Sequence, residues 1–406
     1  MGEEKQQNDP QSIKADDLAE AREVVTNRLT TKAKEVLAPH GMQGFLNAAD
    51  GTFPQKISVE TANQPTLDSL QHFDRSWHYA LERLGATHSD NLTNAWKMLL
   101  NTDYDFIHQR TGLLSQQEVP EFIRQLGQYF NQACPARRDV LSNISSRLVR
   151  RLLGDSSAVF PLLYGAPGGG KTHIARQLGE AISRAGISAQ TVICSLAKNG
   201  HNAELNESSM QIFGTESHYS NGACGQLYQA LNQNNHRPQL VVALLDEADK
   251  AASGRNMLIN ILDPDQPLKD TFLSNFFPDH DLRSRVFFIL SANELQHLFT
   301  GPDDPLASRV NTIHCPNYSR QEMIEVLTSL GVNRLNDHYP MTAEIYRQLA
   351  ELTIARAAPN TSFRQIIDQF GELAYTTCFN EFEYDIKINI TTGRQQARQR
   401  QQLGFV

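Results

Sequence analysis

The 406 residues, enough for two to three domains, carry 37 Lys and Arg against 45 Asp and Glu, a formal net charge of −8, which argues against a chain whose main task is coating nucleic acid. Cys134, Cys194, Cys224, Cys315 and Cys378 are odd in number, widely spaced and never C-x-x-C; they read as free thiols of a reducing compartment and offer no zinc site. The polar N-terminus lacks the apolar core of a signal peptide and no run approaches ~18 apolar residues, so a soluble cytoplasmic protein with no membrane partner is expected.

Residues 1–12 are polar and read as disordered. Residues 13–120 read as a mainly helical N-terminal domain. Leu18, Val25, Leu29 and Val36 share one helical face, and Leu67, Leu70, Phe73, Trp77, Leu81 and Leu84 form a second stripe with Thr66 as its cap. Trp96, Leu99, Phe106 and Ile107 suggest a third helix. The aromatic stripe reads as core rather than as a ligand box. Between 121 and 316 short apolar runs alternate with helical segments. The runs 158–164, 191–196, 239–245, 286–291 and 310–315 read as buried strands, and the alternation implies an α/β fold with a parallel sheet flanked by helices. Residues 317–390 return to helical patterns, at 320–330, 342–354 and 362–375, as a small lid subdomain beside the sheet. Residues 391–406 are a basic, flexible tail with an apolar tip at 403–406.

Chemistry enters at Gly165, Ala166, Pro167, Gly168, Gly169, Gly170, Lys171 and Thr172, which satisfy G-x-x-x-x-G-K-[ST] between an apolar run and a helical pattern opening with His173. Such a turn points backbone N–H groups inward, and the helix adds the positive end of its dipole. Lys171 is placed to reach the β- and γ-phosphates of a nucleotide and the Thr172 hydroxyl to hold Mg2+, with His173 closing the nucleotide-contacting segment. The run 240–245 ends in Asp246 and Glu247, two carboxylates at the strand edge where open α/β sheets bind ligands. Asp246 suits the Mg2+ shell and Glu247 suits polarising an attacking water. The run 286–292 ends in Asn293, whose amide either orients that water or touches the γ-phosphate; a turn former is the plain alternative.

These residues, in this order, resemble the AAA+ ATPases, and most of all the ATPase module of the Lon family. Residues 245–250 (LDEADK) are similar to L-D-E-I-D-K, residues 260–266 (NILDPDQ) to V-L-D-P-E-Q, and residues 281–293 (DLRSRVFFILSAN) to D-L-S-x-V-x-F-I-x-T-A-N. The likeness covers roughly 125–390. It implies ATP with Mg2+ and a homo-oligomeric ring, expected to be a hexamer. Residues 305–313 (PLASRVNTI) resemble P-L-L-D-R-M-x-x-I, which implies Arg309 as the finger completing a neighbour's site, with a surface salt bridge at the end of a strand as the plain alternative. Residues 218–225 (HYSNGACG) resemble T-Y-V-G-A-M-P-G, which makes Tyr219 the aromatic that grips substrate in a central pore; Ser220 and Asn221 depart from that pattern. In the lid, 358–366 (APNTSFRQI) departs from G-V-R-x-L-E-R: the first arginine falls on Asn360 or Thr361, and Arg364 either reaches the nucleotide or pairs with an acid on the helix surface.

The residues after Arg364 are too few for the Ser/Lys peptidase domain that follows the lid in Lon proteases, a fold of about 100–200 residues, so no protease activity is expected. The tip at 403–406 is similar to the hydrophobic tips by which some unfoldases dock onto a separate peptidase. The leading expectation is an ATP-hydrolysing machine that remodels protein substrates. Two alternatives stay open: a nucleotide-regulated scaffold or switch with weak hydrolysis, and a nucleic-acid motor or loader. The latter rests on Arg137, Arg138, Arg147, Arg150 and Arg151; those arginines read more readily as a solvated or inter-subunit face.

Overall fold

The computed structural model describes residues 15–38, 67–102, 112–155, 159–196, 205–232, 239–250, 255–299, 301, 304–358 and 361–379. Thr66, Phe106, Ile107, Asn360, the segment 1–12 and the tail 391–406 lie outside them. The chain divides into two compact units: Met1–Arg110 with Asn206–Arg237 and Pro267–Ser284, and Thr111–Leu205 with Pro238–Gln266 and Arg285–Val406.

In the first unit, α1 (Ala15–Leu37) packs on α2 (Leu67–Gly85), which is followed by α3 (Ser89–Asn101). Leu29, Ala33 and Leu37 of α1 and Trp77, Leu81 and Leu84 of α2 are withdrawn from water. Burying such side chains contributes roughly 1.5–3 kcal/mol each. The aromatic stripe is therefore core. Segments from much later in the chain complete it: Trp77 meets Phe277 edge-on, with ring centroids 5.4 Å apart, and Thr102 Oγ1 lies 2.6 Å from the Tyr228 hydroxyl.

The second unit holds a five-stranded sheet of β1 (Phe160–Tyr164), β2 (Ala189–Ser195), β3 (Leu240–Asp246), β4 (Val286–Ala292) and β5 (Val310–His314). All neighbours are parallel and the order is β2-β3-β4-β1-β5. The expected strands are all present. The central strands read as unbroken apolar runs rather than alternating ones, as befits strands buried on both faces; β4 is buried along its whole length. Helices α4 (Val119–Ala133) and α5 (Arg138–Leu152) precede β1, and α6 (Lys171–Arg184) follows it, packing along β2, β3 and β4. After β5 come α7 (Arg320–Leu330), α8 (Ala343–Arg356) and α9 (Phe363–Phe379), joined around Leu327, Tyr346, Leu349, Phe370 and Ala374. A capping box between Ser319 and Glu322 starts α7, and Thr342 caps α8.

Parallel strands send their C-terminal ends to one edge. The loop after β1, the acids after β3 and the asparagine after β4 therefore converge, with β4 lying between the other two.

Candidate active site

The turn after β1 is a shape that only glycine makes easily. Gly165, Gly168 and Gly170 have φ of 146°, 89° and 84°, values that L side chains rarely adopt. A Cβ on Gly165 would stand 2.2 Å from the Cys315 carbonyl oxygen, and one on Gly170 2.3 Å from the Tyr318 hydroxyl. At the start of α6 Lys171 is buried, and its Nζ donates to Gly165 O (2.7 Å), Ala166 O (3.2 Å) and Asn293 Oδ1 (3.2 Å). Burial lowers the pKa of this ammonium, so an anion in the loop would supply the counter-charge it lacks.

Thr172 Oγ1 donates to Asp246 Oδ2 at 3.2 Å, and Asp246 Oδ1 accepts from the Ser291 hydroxyl and from Glu247 N (3.1 Å). Glu247 is the one non-glycine residue among those described with positive φ, at 59°. Its carboxylate pairs with Lys250 and accepts from Ser195 Oγ at 3.4 Å. Asp249 Oδ2 accepts from Asn293 N (3.1 Å) and Glu294 N (3.3 Å), which pins the end of β4. Lys171, Thr172, Asp246, Glu247 and Asn293 thus share one edge of the sheet.

The remaining predicted residues stand elsewhere. His173 follows Thr172 in α6 and hydrogen-bonds the Ala133 backbone, and burial lowers its pKa. Arg364 is exposed in the first turn of α9 and makes no hydrogen bond or ion pair among the described residues. Its neighbour Phe363 faces the loop, since a Cβ on Gly168 would lie 3.8 Å from Phe363 Cβ. Arg309 ends the short helix Pro305–Arg309, directly before Val310, which pairs with Phe160. That is the sheet edge opposite its own phosphate loop. There Arg309 donates to Pro305 O (2.8 Å) and Asp263 Oδ2 (3.0 Å). In the other unit, the Tyr219 side chain is 53% exposed and lies against the His218 ring, while its carbonyl accepts from Asn91 of α3.

Sequence reasoning passed over Ser195, Asp249, Ser291 and Tyr318, and it read the arginines before β1 as a surface. Arg137 and Arg151 are instead buried. Arg151 lies over the Phe160 ring at 4.3 Å, and Arg150 pairs with Asp155. Arg138 and Arg150 are exposed and Arg147 is partly buried.

The donor set fits a magnesium nucleotide. The glycine turn leaves a cradle that a Cβ would fill, and the Thr172 hydroxyl and Asp246 carboxylate offer adjacent hard oxygens of the kind Mg2+ takes alongside phosphate. A parallel sheet in this order, a phosphate loop after β1, an acid pair after β3, an asparagine after β4 and a helical lid define an AAA+ fold.

Residues 154–271 match the family model for the AAA domain. The Lon protease of Parabacteroides distasonis is 31% identical over 185 residues, 44% of this chain and 20% of that protein. That of Clostridium beijerinckii is 27% identical over 273 residues, 64% of this chain and 31% of its own length. A closed-state cryo-EM reconstruction of Hsp104 with ATPγS and FITC casein aligns with 89% of this chain and 65% of that one, at TM-score 0.48 and 15% identity. The chain carries a Lon-like AAA+ ATPase module, and it spans between a fifth and about a third of these Lon relatives.

Proposed function

We propose that this chain binds ATP with Mg2+, hydrolyses it, and acts within a homo-oligomeric ring that remodels polypeptide substrates. The observation that carries the reading is the meeting of Lys171, Thr172, Asp246, Glu247 and Asn293 at one edge of a parallel sheet. Lys171 exchanges the carbonyls of its own loop for the β- and γ-phosphates, and the N–H groups of the loop and of the first turn of α6 hold the anion. Thr172 and Asp246 would hold Mg2+, which when bound would neutralise charge on the phosphate oxygens. Glu247 takes the proton of the attacking water, for which its carboxylate must leave Lys250. Asn293 orients that water or the terminal phosphate.

Two further features support assembly and substrate handling. Arg309 lies at the sheet edge away from its own loop, which suits an arginine that serves a neighbouring subunit. Tyr219 offers an exposed aromatic on a latched loop, which suits grip on an extended chain. The engagement of Glu247 by Lys250 and of Arg309 by Asp263 favours, as a second reading, a switch that assembles on ATP and turns over slowly.

The Glu247→Gln chain is expected to bind ATP as the unaltered chain does while losing roughly 100-fold or more in hydrolysis, the scale of general-base catalysis. Unchanged turnover would remove Glu247 from this role. Turnover near background in the unaltered chain, with ATP-dependent assembly intact, would select the switch.

A further inference from the structure

Behind the phosphate loop lies a buried cation that the proposed chemistry does not use. Arg137 ends the single turn Pro135–Arg137 and is 2% exposed. Its Nη2 donates to Pro316 O at 2.7 Å and to Gly169 O at 3.2 Å; its Nη1 donates to Ala136 O at 3.1 Å and stands 3.8 Å from Glu322 Oε1. The guanidinium lies over the Tyr318 ring, 3.8 Å from its centroid. Burying a cation is costly, and an apolar side chain of similar volume would fill this space at lower cost. The contacts therefore have to explain the residue.

One of them bears directly on phosphate. The Gly169 carbonyl and the Gly170 N–H belong to one rigid trans peptide and point in opposite directions. A donor fixed on the carbonyl from behind aims the N–H to the other side, into the loop. In a run of three glycines that aim is poorly held by local preference, because glycine peptides rotate among several wells of similar energy. Gly170, at φ 84°, precedes α6 as its N-cap. The other contacts tie the same guanidinium to the segment leaving β5 and, through Glu322 in the first turn of α7, to the lid.

We propose that Arg137 is a positioning residue for the phosphate site: it aims the Gly170 N–H by holding the Gly169 carbonyl, and through Pro316 and Glu322 it makes that aim depend on the lid. This inference rests on the reading that the loop binds ATP. Tyr318, with its ring under Arg137 and its hydroxyl against Gly170, is the platform that keeps the guanidinium flat.

Calorimetric titration of the full chain with ATP and with ADP, in the presence of Mg2+, tests it alongside steady-state turnover. Arg137→Met keeps the length and removes the donors; it is expected to weaken ADP binding about tenfold, the scale of a charged hydrogen bond, and to lower kcat as well as raise KM. Arg137→Lys is expected to recover part of the affinity, because an ammonium can meet the carbonyls but cannot lie flat on Tyr318. Glu322→Gln is expected to weaken ADP binding less than Arg137→Met does, while reducing nucleotide-dependent hydrogen-exchange protection at 316–322.

A folded Arg137→Met chain with unaltered affinity and kcat overturns the inference. If that variant does not fold, unaltered affinity and kcat in Arg137→Lys overturn it equally. Failure of the unaltered chain to bind ATP overturns the nucleotide reading and this inference with it, whereas ATP binding that no variant changes overturns this inference alone.

Discussion

Glu247 shows at a single residue how strain and chemistry coincide. A non-glycine residue at φ 59° costs on the order of 1 kcal/mol and persists only where its surroundings impose it. Here its N–H is held by Asp246 Oδ1 at 3.1 Å and by Ser291 Oγ at 3.4 Å. The residue best suited to that backbone is glycine, so the proposed role of the carboxylate sets stability against activity. Glu247→Gly is expected to gain about 1 kcal/mol in chemical denaturation while hydrolysis is lost. A variant no more stable than the unaltered chain would show that the conformation carries little strain.

Among the elements, the loop that presents Tyr219 is fastened at both its tip and its base. At the tip, Asn91 donates to the Tyr219 carbonyl and His88 N donates to Ser217 O at 3.3 Å, so α3 holds the loop directly. At the base, the buried Asp270 accepts from Gly225 N at 2.7 Å and from Leu273 N at 2.9 Å. Asp270 N donates to His280 Nε2, which leaves the Nδ1 proton for Phe277 O at 2.6 Å. Burial lifts the Asp270 carboxyl to about 7, against backbone donors that favour its charge, and desolvation also pushes up the Cys224 thiol close by.

Between about pH 4 and 7 the folded state keeps a proton on Asp270 that the unfolded chain releases. Its contribution to stability is therefore complete below the unfolded value and declines as pH rises to about 7. Asp270→Asn keeps the shape and removes the titration. Denaturation midpoints measured from pH 4.5 to 8 are expected to fall with pH in the unaltered chain and to fall less in the variant; parallel curves would refute it.

For the whole molecule, the decisive feature is that Arg309 and the phosphate loop lie at opposite edges of one sheet. On the proposed reading, a subunit built in this way would complete its chemistry beside another copy. Lys171→Ala and Arg309→Ala, each inactive alone, are expected to recover measurable turnover when mixed, since mixed contacts pair an intact loop with an intact arginine. Specific activity should also rise with protein concentration. Full activity of Arg309→Ala by itself would end the inter-subunit role.

Much of this protein is written locally. The phosphate loop is legible because contiguous glycines supply the positive φ values while Lys171 and Thr172 follow at fixed offsets. The strands are legible because a strand buried on both faces must be an unbroken apolar run, as in 240–245 and 286–290. Asp246 and Glu247 were visible for the same reason, being the first polar residues past such a run, and Asn293 follows another run two residues after Ser291. Other features had no local trace. Arg137 sits among arginines that look like a solvated face, and its burial depends on carbonyls 32 and 179 residues away. The first unit, likewise, closes its core with segments 206–237 and 267–284, which composition assigns to the stretch around the sheet. Which backbone cradles phosphate and which strands are buried follow from residues adjacent in the chain, and are readable there. Which charges are buried, which loop is latched and which arginine stands at the sheet edge away from the phosphate loop follow from partners that chain order does not bring together, and emerge only in the folded protein.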